Sequence, residues 1–276
     1  MPGRGQGDRA SRGGFSSEAR IVMNNNLIVE VCVEAVDSAL AAERGGAQRV
    51  ELCSSLVEGG VTPSAGLIAT ARQKISIDLH VMIRPRPGDF CYSADEFAAM
   101  QRDVLMAKQL AADGVVFGLL GEDGKIDVPR TRQLVDLARP LKTTFHRAFD
   151  MSVDPCHSVE HVVETGADRI LTSGGARTAL EGAATLRSLV ETAVGRVIIT
   201  ACGGIDDQNV KAIVEKTGVR EIHVRLRTSV ASPMRYRNEN ISMGTVQGSE
   251  YQRFIVLEDR VERLLRAARA CGPGTG

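Results

Sequence analysis

The chain has 276 residues, and its 34 basic and 34 acidic side chains give a formal net charge of zero. This balance excludes the strongly basic surface expected of a protein that binds nucleic acid or an anionic membrane, so we predict neither partner. The sequence also lacks any run of about 18 apolar residues, which excludes a sequence-predicted membrane span. A chain of this length buries enough surface to fold without a disulfide or metal ion.

Residues 1–24 differ in composition from the rest of the chain. They contain five glycines and four arginines but few apolar side chains. This composition predicts a disordered tail, followed by a single domain over residues 25–276. The tail lacks the apolar core of a secretory signal, and the six cysteines show no regular spacing. We therefore expect reduced thiols and a cytoplasmic location.

From residue 27 onward, short runs rich in valine and isoleucine alternate with amphipathic stretches of ten or more residues. The predicted strands are 27–33, 48–53, 78–84, 114–118, 142–147, 168–172, 196–201 and 221–225. The predicted helices are 36–45, 63–74, 94–111, 129–139, 154–165, 179–193, 206–217 and 256–270. Strands that alternate with helices pair in parallel. Eight such units predict an α/β fold of the TIM (β/α)8 barrel type, with a doubly wound open sheet as the alternative.

The joints between these units carry two further signals. Three predicted helices end at a glycine, Gly46, Gly166 or Gly218, each followed closely by the next strand. A glycine at this position predicts a left-handed turn that ends the helix. Residues 226–255 form a long polar connection before the last helix, and connections of this length usually serve as lids or interfaces.

Strand alternation predicts which side chains face the barrel interior. In the first two strands the valines and Leu52 take the helix-facing positions, which leaves Glu30, Cys32, Glu51 and Cys53 facing the axis. The same alternation places further side chains of the later strands inward, which are polar except for Met82: His80, Met82, Arg84, Thr144, His146, His223 and Arg225. Buried charges persist only when they are paired or serve a ligand. The sequence therefore predicts a polar pocket at the C-terminal mouth of the barrel.

The pattern Glu-x-Cys occurs twice on neighbouring predicted strands, and it suggests a metal site at Cys32 and Cys53. Adjacent strands lie about 4.8 Å apart, so two thiols could approach one ion. Sulfur ligands favour Cu(I), with Met82 or an imidazole completing the site, whereas Zn(II) prefers four ligands. The alternatives are two small core residues, or a nucleophile whose pKa is lowered by Arg84 or an imidazole.

A second group of residues predicts an anion site at the same mouth. His146, Arg147 and Asp150 follow the fifth predicted strand, and His146 is a candidate general acid or base, with Glu51 and Asp150 as further candidates. The alternative is that Arg147 and Asp150 only form a salt bridge that fixes the loop.

Two kinds of loop support a small anionic metabolite as a ligand. Arg84 and Arg86 lie on a proline-stiffened turn that suits a carboxylate or phosphate. Glycine-rich loops follow the sixth strand, next to Ser173, and the seventh strand, at Gly203 and Gly204. Such loops can cradle a phosphate, although tight turns between strand and helix also need glycine.

Six segments, taken together, resemble the CutC copper-homeostasis family. They are VCVE at 31–34, RVELCSSLVEGGVTPS at 49–64, MIRPRPGDFCYS at 82–93, TFHRAFDM at 144–151, RILTSGGA at 169–176 and SPMRYRN at 232–238. The resemblance implies a cytosolic TIM barrel that forms a homo-oligomer, a dimer or tetramer, with Cu(I) bound at Cys32 and Cys53. Arg225 and Cys202 depart from the pattern we expect of this family and affect the strand 7 and strand 8 side of the pocket.

Two functions are therefore predicted. The first is a copper-homeostasis protein that binds Cu(I) through thiols at the barrel mouth. The alternative is a TIM-barrel enzyme that acts on a small phosphorylated or carboxylated compound, with proton transfer by His146 or Glu51. A third possibility, a barrel with a vestigial mouth, predicts neither metal nor ligand.

Overall fold

The computed structural model describes residues 27–238, 240–243 and 249–269 of the chain. The predicted disordered tail over residues 1–24 lies outside the described residues, as does Cys271. The strands are β1 (Ile28–Val33), β2 (Arg49–Leu52), β3 (Asp78–Met82), β4 (Gly114–Phe117), β5 (Lys142–Phe145), β6 (Arg169–Thr172), β7 (Ile198–Cys202), β8 (Glu221–Val224), β9 (Arg227–Ala231) and β10 (Gln252–Val256). The helices are α1 (Val36–Arg44), α2 (Ala65–Lys74), α3 (Ala94–Gln109), α4 (Val128–Ala138), α5 (Pro155–Thr165), α6 (Ala183–Ala193), α7 (Val210–Thr217) and α8 (Glu258–Arg269).

Strands β1 to β8 form a closed barrel in chain order, and every neighbouring pair is parallel. The barrel closes where β8 pairs with β1, with Ile28 opposite Glu221 and Val31 opposite Val224. The predicted TIM barrel is confirmed, and the open-sheet alternative is wrong. None of the described helices is long and apolar enough to cross a lipid bilayer.

The helix ends explain why the local sequence produces this alternation. Gly46, Gly166 and Gly218 have φ angles of 91°, 81° and 73°, the left-handed turns that the sequence predicts. At the N-terminus of α3, Ser93 and Glu96 form a capping box that starts the helix. The chain therefore turns from helix to strand within a few residues, which keeps consecutive strands adjacent in the barrel.

The predicted long polar connection over residues 226–255 contains regular structure that the sequence analysis did not predict. Strands β9 and β10 form an antiparallel two-stranded sheet outside the barrel, with Arg227 opposite Val256. The guanidinium of Arg227 lies 4.2 Å from the centre of the Phe254 ring. Most side chains of this pair are exposed or half-buried, so the alternation of polarity that reveals a buried strand is weak here.

Two apolar clusters occupy different layers of the molecule. The large one lies between the strands and the helices and includes Val29, Val31, Leu52 and Leu79. The small one consists of Cys32, Cys53, Leu56, Met82 and Val116. The separation follows from the alternation along each strand, because neighbouring residues point to opposite faces of the barrel wall.

Candidate functional site

The two predicted metal-ligating thiols lie together at the end of β1 and β2. The Cys32 Sγ is 3.6 Å from the Cys53 Sγ and 3.2 Å from Glu51 Oε2. Cys32 and Glu51 are opposite each other in the register of the two strands, and Cys53 follows β2 directly. Only 5% of Cys32 and none of Cys53 is exposed. The alternation of two parallel strands thus places one carboxylate and two thiols in a single buried group.

Hydrogen bonding and burial determine the protonation of this group. The hydrogen bond to Cys53, together with burial, raises the pKa of Cys32 well above that of an ordinary thiol. Burial also raises the pKa of Glu51. Glu51 Oε1 is buried and has no hydrogen-bond partner among the described residues. Cys32 is therefore held as a thiol, and Glu51 keeps one oxygen available for a further contact.

A network of ion pairs fills the barrel interior next to the thiols. The Arg49 guanidinium pairs with Glu30 and, at 2.5 Å, with Glu221 Oε2. Arg169 Nε lies 2.9 Å from the same Glu221 oxygen, and His223 Nδ1 lies 2.7 Å from Glu30 Oε1. Burial would raise the pKa of Glu30, but Arg49 and His223 outweigh it and hold that pKa below its ordinary value. The predicted ligand residue Glu30 is thus committed to partners inside the protein.

His223 is the member of this network that reaches the thiol group. Burial would lower its pKa, but the nearby Glu51 and the hydrogen bonds of the ring raise it well above the ordinary value for histidine. Its Nε2 lies 3.9 Å from Glu51 Oε2. His223 therefore places a positive charge between the two carboxylates Glu30 and Glu51.

Three residues of the barrel interior were not predicted from the sequence: Arg49, Arg169 and Glu221. Strand alternation could have identified two of them as inward-facing, because Arg49 has the same parity as Glu51, and Glu221 has the same parity as His223. Their pairing depends on the closure of the barrel, since Arg49 and Glu221 are 172 residues apart in the chain.

The β2–α2 loop, residues 54–61, lies over the thiols. Its Leu56 is 5% exposed and belongs to the same apolar cluster as Cys32 and Cys53. Arg225 Nη2 donates a hydrogen bond of 2.7 Å to the Leu56 carbonyl oxygen. This arginine, which departs from the expected family pattern, connects the end of β8 to the loop that covers the thiols.

The two arginines predicted to bind an anion after β3 have partners within the protein. Arg84 Nη1 donates to the carbonyl oxygens of Glu58 and Gly60 at 2.9 and 3.0 Å, which fixes the base of the β2–α2 loop. Arg86 Nε lies 2.6 Å from Glu96 Oε1, and its Nη2 lies 3.0 Å from Asp89 Oδ1. A ligand at either arginine would have to share or displace these contacts.

His146 lies directly after β5 and is held as a neutral ring. Burial and the nearby Arg84 lower its pKa to about 3. Its Nδ1 accepts a hydrogen bond from the Ala148 N–H, so the single proton belongs on Nε2, which has no partner among the described residues. The ring also requires Gly118, because a Cβ at that position would lie 2.5 Å from His146 Nδ1.

Asp150 and Ser173 form a compact cluster between β5 and β6. The Asp150 carboxylate accepts hydrogen bonds from the Ser173 and Gly175 N–H groups, at 3.1 Å each, and from the Thr172 hydroxyl. Arg147 Nε lies 2.8 Å from Asp150 Oδ2. The carboxylate thus occupies the amides of the glycine-rich loop that could otherwise cradle a phosphate.

The other glycine-rich loop, at Gly203 and Gly204, packs against the loop that follows β6. The Ala179 N–H donates to the Gly203 carbonyl oxygen at 2.8 Å, and a Cβ on Gly203 would lie 3.2 Å from the Ser173 Cβ. A φ angle of 97°, together with this close packing, accounts for glycine at Gly203. Cys202, at the end of β7, is buried, and burial raises its pKa well above the ordinary value.

Two groups of potential metal ligands exist within the described part of the chain. The ligand atoms of Cys32, Cys53 and Glu51 all lie within 4.8 Å of one another, and the same is true of Glu30, Glu51 and His223. Because the second group is already linked by ion pairs, the thiol group has more unused capacity to bind an ion.

Comparison with known proteins gives a consistent result. The family model described as the CutC family matches residues 27–228. A CutC family protein of Bacteroides thetaiotaomicron is 46% identical over 87% of this chain and 98% of its own length. A "Copper homeostasis protein cutC homolog" of Mus musculus is 47% identical over 85% of this chain and 87% of its own length. The crystal structure of CutC from Streptococcus agalactiae has a TM-score of 0.68 and 35% identity, covering 71% of this chain and 97% of that one.

Proposed function

The chain belongs to the CutC copper-homeostasis family, and from this premise we propose that it binds Cu(I) as cargo through the thiols of Cys32 and Cys53. The observation that carries the proposal is the 3.6 Å distance between the two sulfur atoms in a buried group. Met82 belongs to the same buried cluster and adds a thioether side chain to its lining. Such soft donors suit Cu(I) better than hard cations.

Several residues around the thiols would support copper binding without contacting the ion. Glu51 accepts the hydrogen bond of Cys32 and so orients that thiol towards Cys53. Leu56 excludes water from the pair, which protects Cu(I) and its ligands from the solvent. Because both thiols are buried, we expect the β2–α2 loop to move when the ion enters or leaves.

Titration of the reduced protein with Cu(I) against a competing chelator tests the proposal. We expect one ion bound per chain, and loss of this binding in the double variant Cys32→Ser, Cys53→Ser. The matched control is Cys91→Ser with Cys156→Ser, which removes two described cysteines outside the cluster. Equal Cu(I) affinity in the parent protein and in the Cys32/Cys53 variant would contradict the proposal.

We also propose a cytoplasmic location and a homo-oligomer. A reducing compartment would keep the free thiols able to bind Cu(I). Four large apolar side chains are exposed in the connection between β9 and β10, namely Met234, Tyr236, Ile241 and Met243. A subunit contact would cover them, and sedimentation analysis of a variant with polar residues at these positions tests this.

A small ligand with an acceptor oxygen is the second candidate function. It is favoured by two buried polar atoms that lack a hydrogen-bond partner among the described residues, Arg84 Nε and His146 Nε2, whose side chains both pack against the Phe90 ring. Unpaired buried donors are costly, and a carbonyl or carboxylate oxygen would satisfy them. In an enzyme of this kind neutral His146 would donate a hydrogen bond through Nε2–H, and it would be the candidate for proton transfer.

A panel of small carboxylates and phosphates tests this second function through the midpoint of thermal unfolding. We expect a ligand that binds here to stabilise the parent protein but not His146→Asn. A ligand that stabilises both equally binds elsewhere, and the absence of any stabilising compound in the panel counts against this function.

A further inference from the structure

The distance between the two thiols discriminates between coordination geometries. A linear two-coordinate ion with metal–sulfur bonds of about 2.3 Å would separate its ligands by about 4.6 Å. The edge of a tetrahedron with the same bonds is about 3.8 Å. The observed 3.6 Å between Cys32 Sγ and Cys53 Sγ is a hydrogen-bond distance between two thiols. It is close to a tetrahedral edge and somewhat shorter than the trigonal spacing of about 4.0 Å, whereas a linear ion would require the side chains to spread apart.

The same group contains a third donor in a suitable position. Glu51 Oε2 lies 3.2 Å from Cys32 Sγ, and one ligand atom from each of the three residues lies within 4.8 Å of the others. Glu51 is only 2% exposed, and its Oε1 has no hydrogen-bond partner among the described residues. A buried carboxylate oxygen without a partner needs an explanation, and a bound cation supplies one.

We propose that Cys32, Cys53 and Glu51 form a three-ligand site for a divalent tetrahedral ion of the zinc class, with the fourth position open. Sites with three protein ligands and one exchangeable position are typical of zinc that binds a water molecule or small ligand. This site uses the thiols of the proposed copper function but differs from it in the number of donors. Zn(II) accepts a carboxylate oxygen, whereas soft Cu(I) gains little from one.

The charges around the site agree with a divalent ion. Two thiolates and one carboxylate bring three negative charges into a buried space, and a divalent cation leaves one of them. His223 Nε2 lies 3.9 Å from Glu51 Oε2, where an imidazolium would offset the remaining negative charge. The apolar residues Leu56, Met82 and Val116 complete the cluster and offer no competing charge.

Titration of the reduced full chain with Co(II) tests the proposal, because Co(II) adopts the same tetrahedral geometry and is visible by absorption. The triple variant Cys91→Ser, Cys156→Ser, Cys271→Ser serves as the starting protein; it removes two described cysteines outside the cluster, together with Cys271. We expect thiolate-to-Co(II) charge-transfer bands together with intense tetrahedral ligand-field bands. One equivalent of Zn(II) should abolish both by displacing the cobalt.

Glu51→Gln in this starting protein is the decisive variant, and Glu58→Gln, an exposed carboxylate in the β2–α2 loop, is its matched control. We expect Glu51→Gln to lower the ratio of Co(II) affinity to Cu(I) affinity by at least about 10-fold, because only the divalent site uses the carboxylate. Glu58→Gln should keep the parent ratio. An unchanged ratio in Glu51→Gln, or weak octahedral bands in the starting protein, would overturn the proposal.

The two metal proposals fail separately. If the protein binds Co(II) with thiolate bands but not Cu(I), the copper function fails and the zinc-class site stands. If it binds Cu(I) without a tetrahedral Co(II) spectrum, the reverse holds. Should Glu51→Gln not fold, Cys32→Ser in the starting protein decides through the same bands, because each thiolate ligand contributes to the charge-transfer intensity. Unchanged intensity would exclude Cys32 as a ligand and overturn the proposal, and reduced intensity supports it.

Discussion

The two sides of the barrel mouth use similar residues in opposite ways. Next to β6, the Asp150 carboxylate is fully occupied by the amides of Ser173 and Gly175, the Thr172 hydroxyl and the Arg147 guanidinium. Next to β2, Glu51 has a single described hydrogen-bond donor, the Cys32 thiol, and an unpartnered Oε1. The first carboxylate ties a loop together. The Glu51 carboxylate keeps one oxygen without a described donor. An unused acceptor oxygen thus distinguishes a candidate ligand, Glu51, from a structural carboxylate, Asp150.

The largest expected effect is the loss of stability on replacing Asp150. Asp150→Ala leaves the buried Ser173 N–H and Thr172 hydroxyl without their acceptor, and each unsatisfied buried group is costly. We expect the free energy of unfolding to fall by about 2–4 kcal/mol, measured by urea denaturation. Metal binding by the folded variant should remain unchanged, because Asp150 does not belong to the thiol group.

Asp89→Ala is the matched control for this prediction. Asp89 forms an ion pair with an arginine three residues away, as Asp150 does, but its side chain is 72% exposed against 7% for Asp150. An exposed ion pair is screened by water and contributes little to stability. If the two alanine variants lose equal stability, the distinction between the two sides of the mouth is wrong.

Much of the thiol side could be predicted from the sequence because it depends on local alternation. The parity of β1 and β2 places Glu30, Cys32, Glu51 and Cys53 on one face, and the structure has all four in the barrel interior. Parallel pairing of consecutive strands then makes Cys32 and Glu51 neighbours. Neither step requires knowledge of residues far away in the chain.

The partners of these residues could not be predicted in the same way. Arg225 and Leu56 are 169 residues apart, and Arg49 and Glu221 meet only because β8 closes onto β1. Sequence patterns identify which face a side chain takes, but the choice among several inward charges depends on barrel register. For this reason the polar pocket was predicted, whereas the pairing that neutralises most of its charge was not.

The pH dependence of stability further tests the comparison between the two sides of the barrel mouth, because one buried neutral histidine lies near each of these sides. Burial lowers the pKa of both His80 and His146 to about 3. The unfolded chain binds these protons near pH 6.5, so between pH 6.5 and 3 it holds more protons than the folded protein. Stability should therefore fall as the pH drops through this range, by up to about 2 kcal/mol per histidine at pH 5.

Urea denaturation at pH 7.5 and 5 measures this loss in the parent protein and in His146→Asn. The variant cannot gain a proton at this position, so its stability should depend less steeply on pH than that of the parent. An identical pH dependence in both proteins would show that His146 is not held neutral by the fold.

The smallest expected effect is that of Arg225→Ala, which removes the hydrogen bond from Arg225 to Leu56. The rate at which the thiols react with a reagent measures this effect. Arg225→Ala removes one hydrogen bond from the loop over the thiols, worth about 1 kcal/mol. If this bond resists opening of the loop, its loss increases the open population by about 5-fold. In a protein without Cys91, Cys156 and Cys271, the reaction of Cys32 with a disulfide reagent should accelerate by the same factor.

Arg227→Ala distinguishes loop opening from general loosening of this side of the barrel. Arg227 lies two residues further along the chain but contacts Phe254 in the β9–β10 pair, so its removal should leave the thiol reaction unchanged. A similar acceleration in both variants would mean that the outer strands, and not the contact with Leu56, control access. No acceleration in Arg225→Ala would mean that reagents reach the thiols without opening this contact. In that case a ligand could reach Cys32 and Cys53 without any opening of the β2–α2 loop.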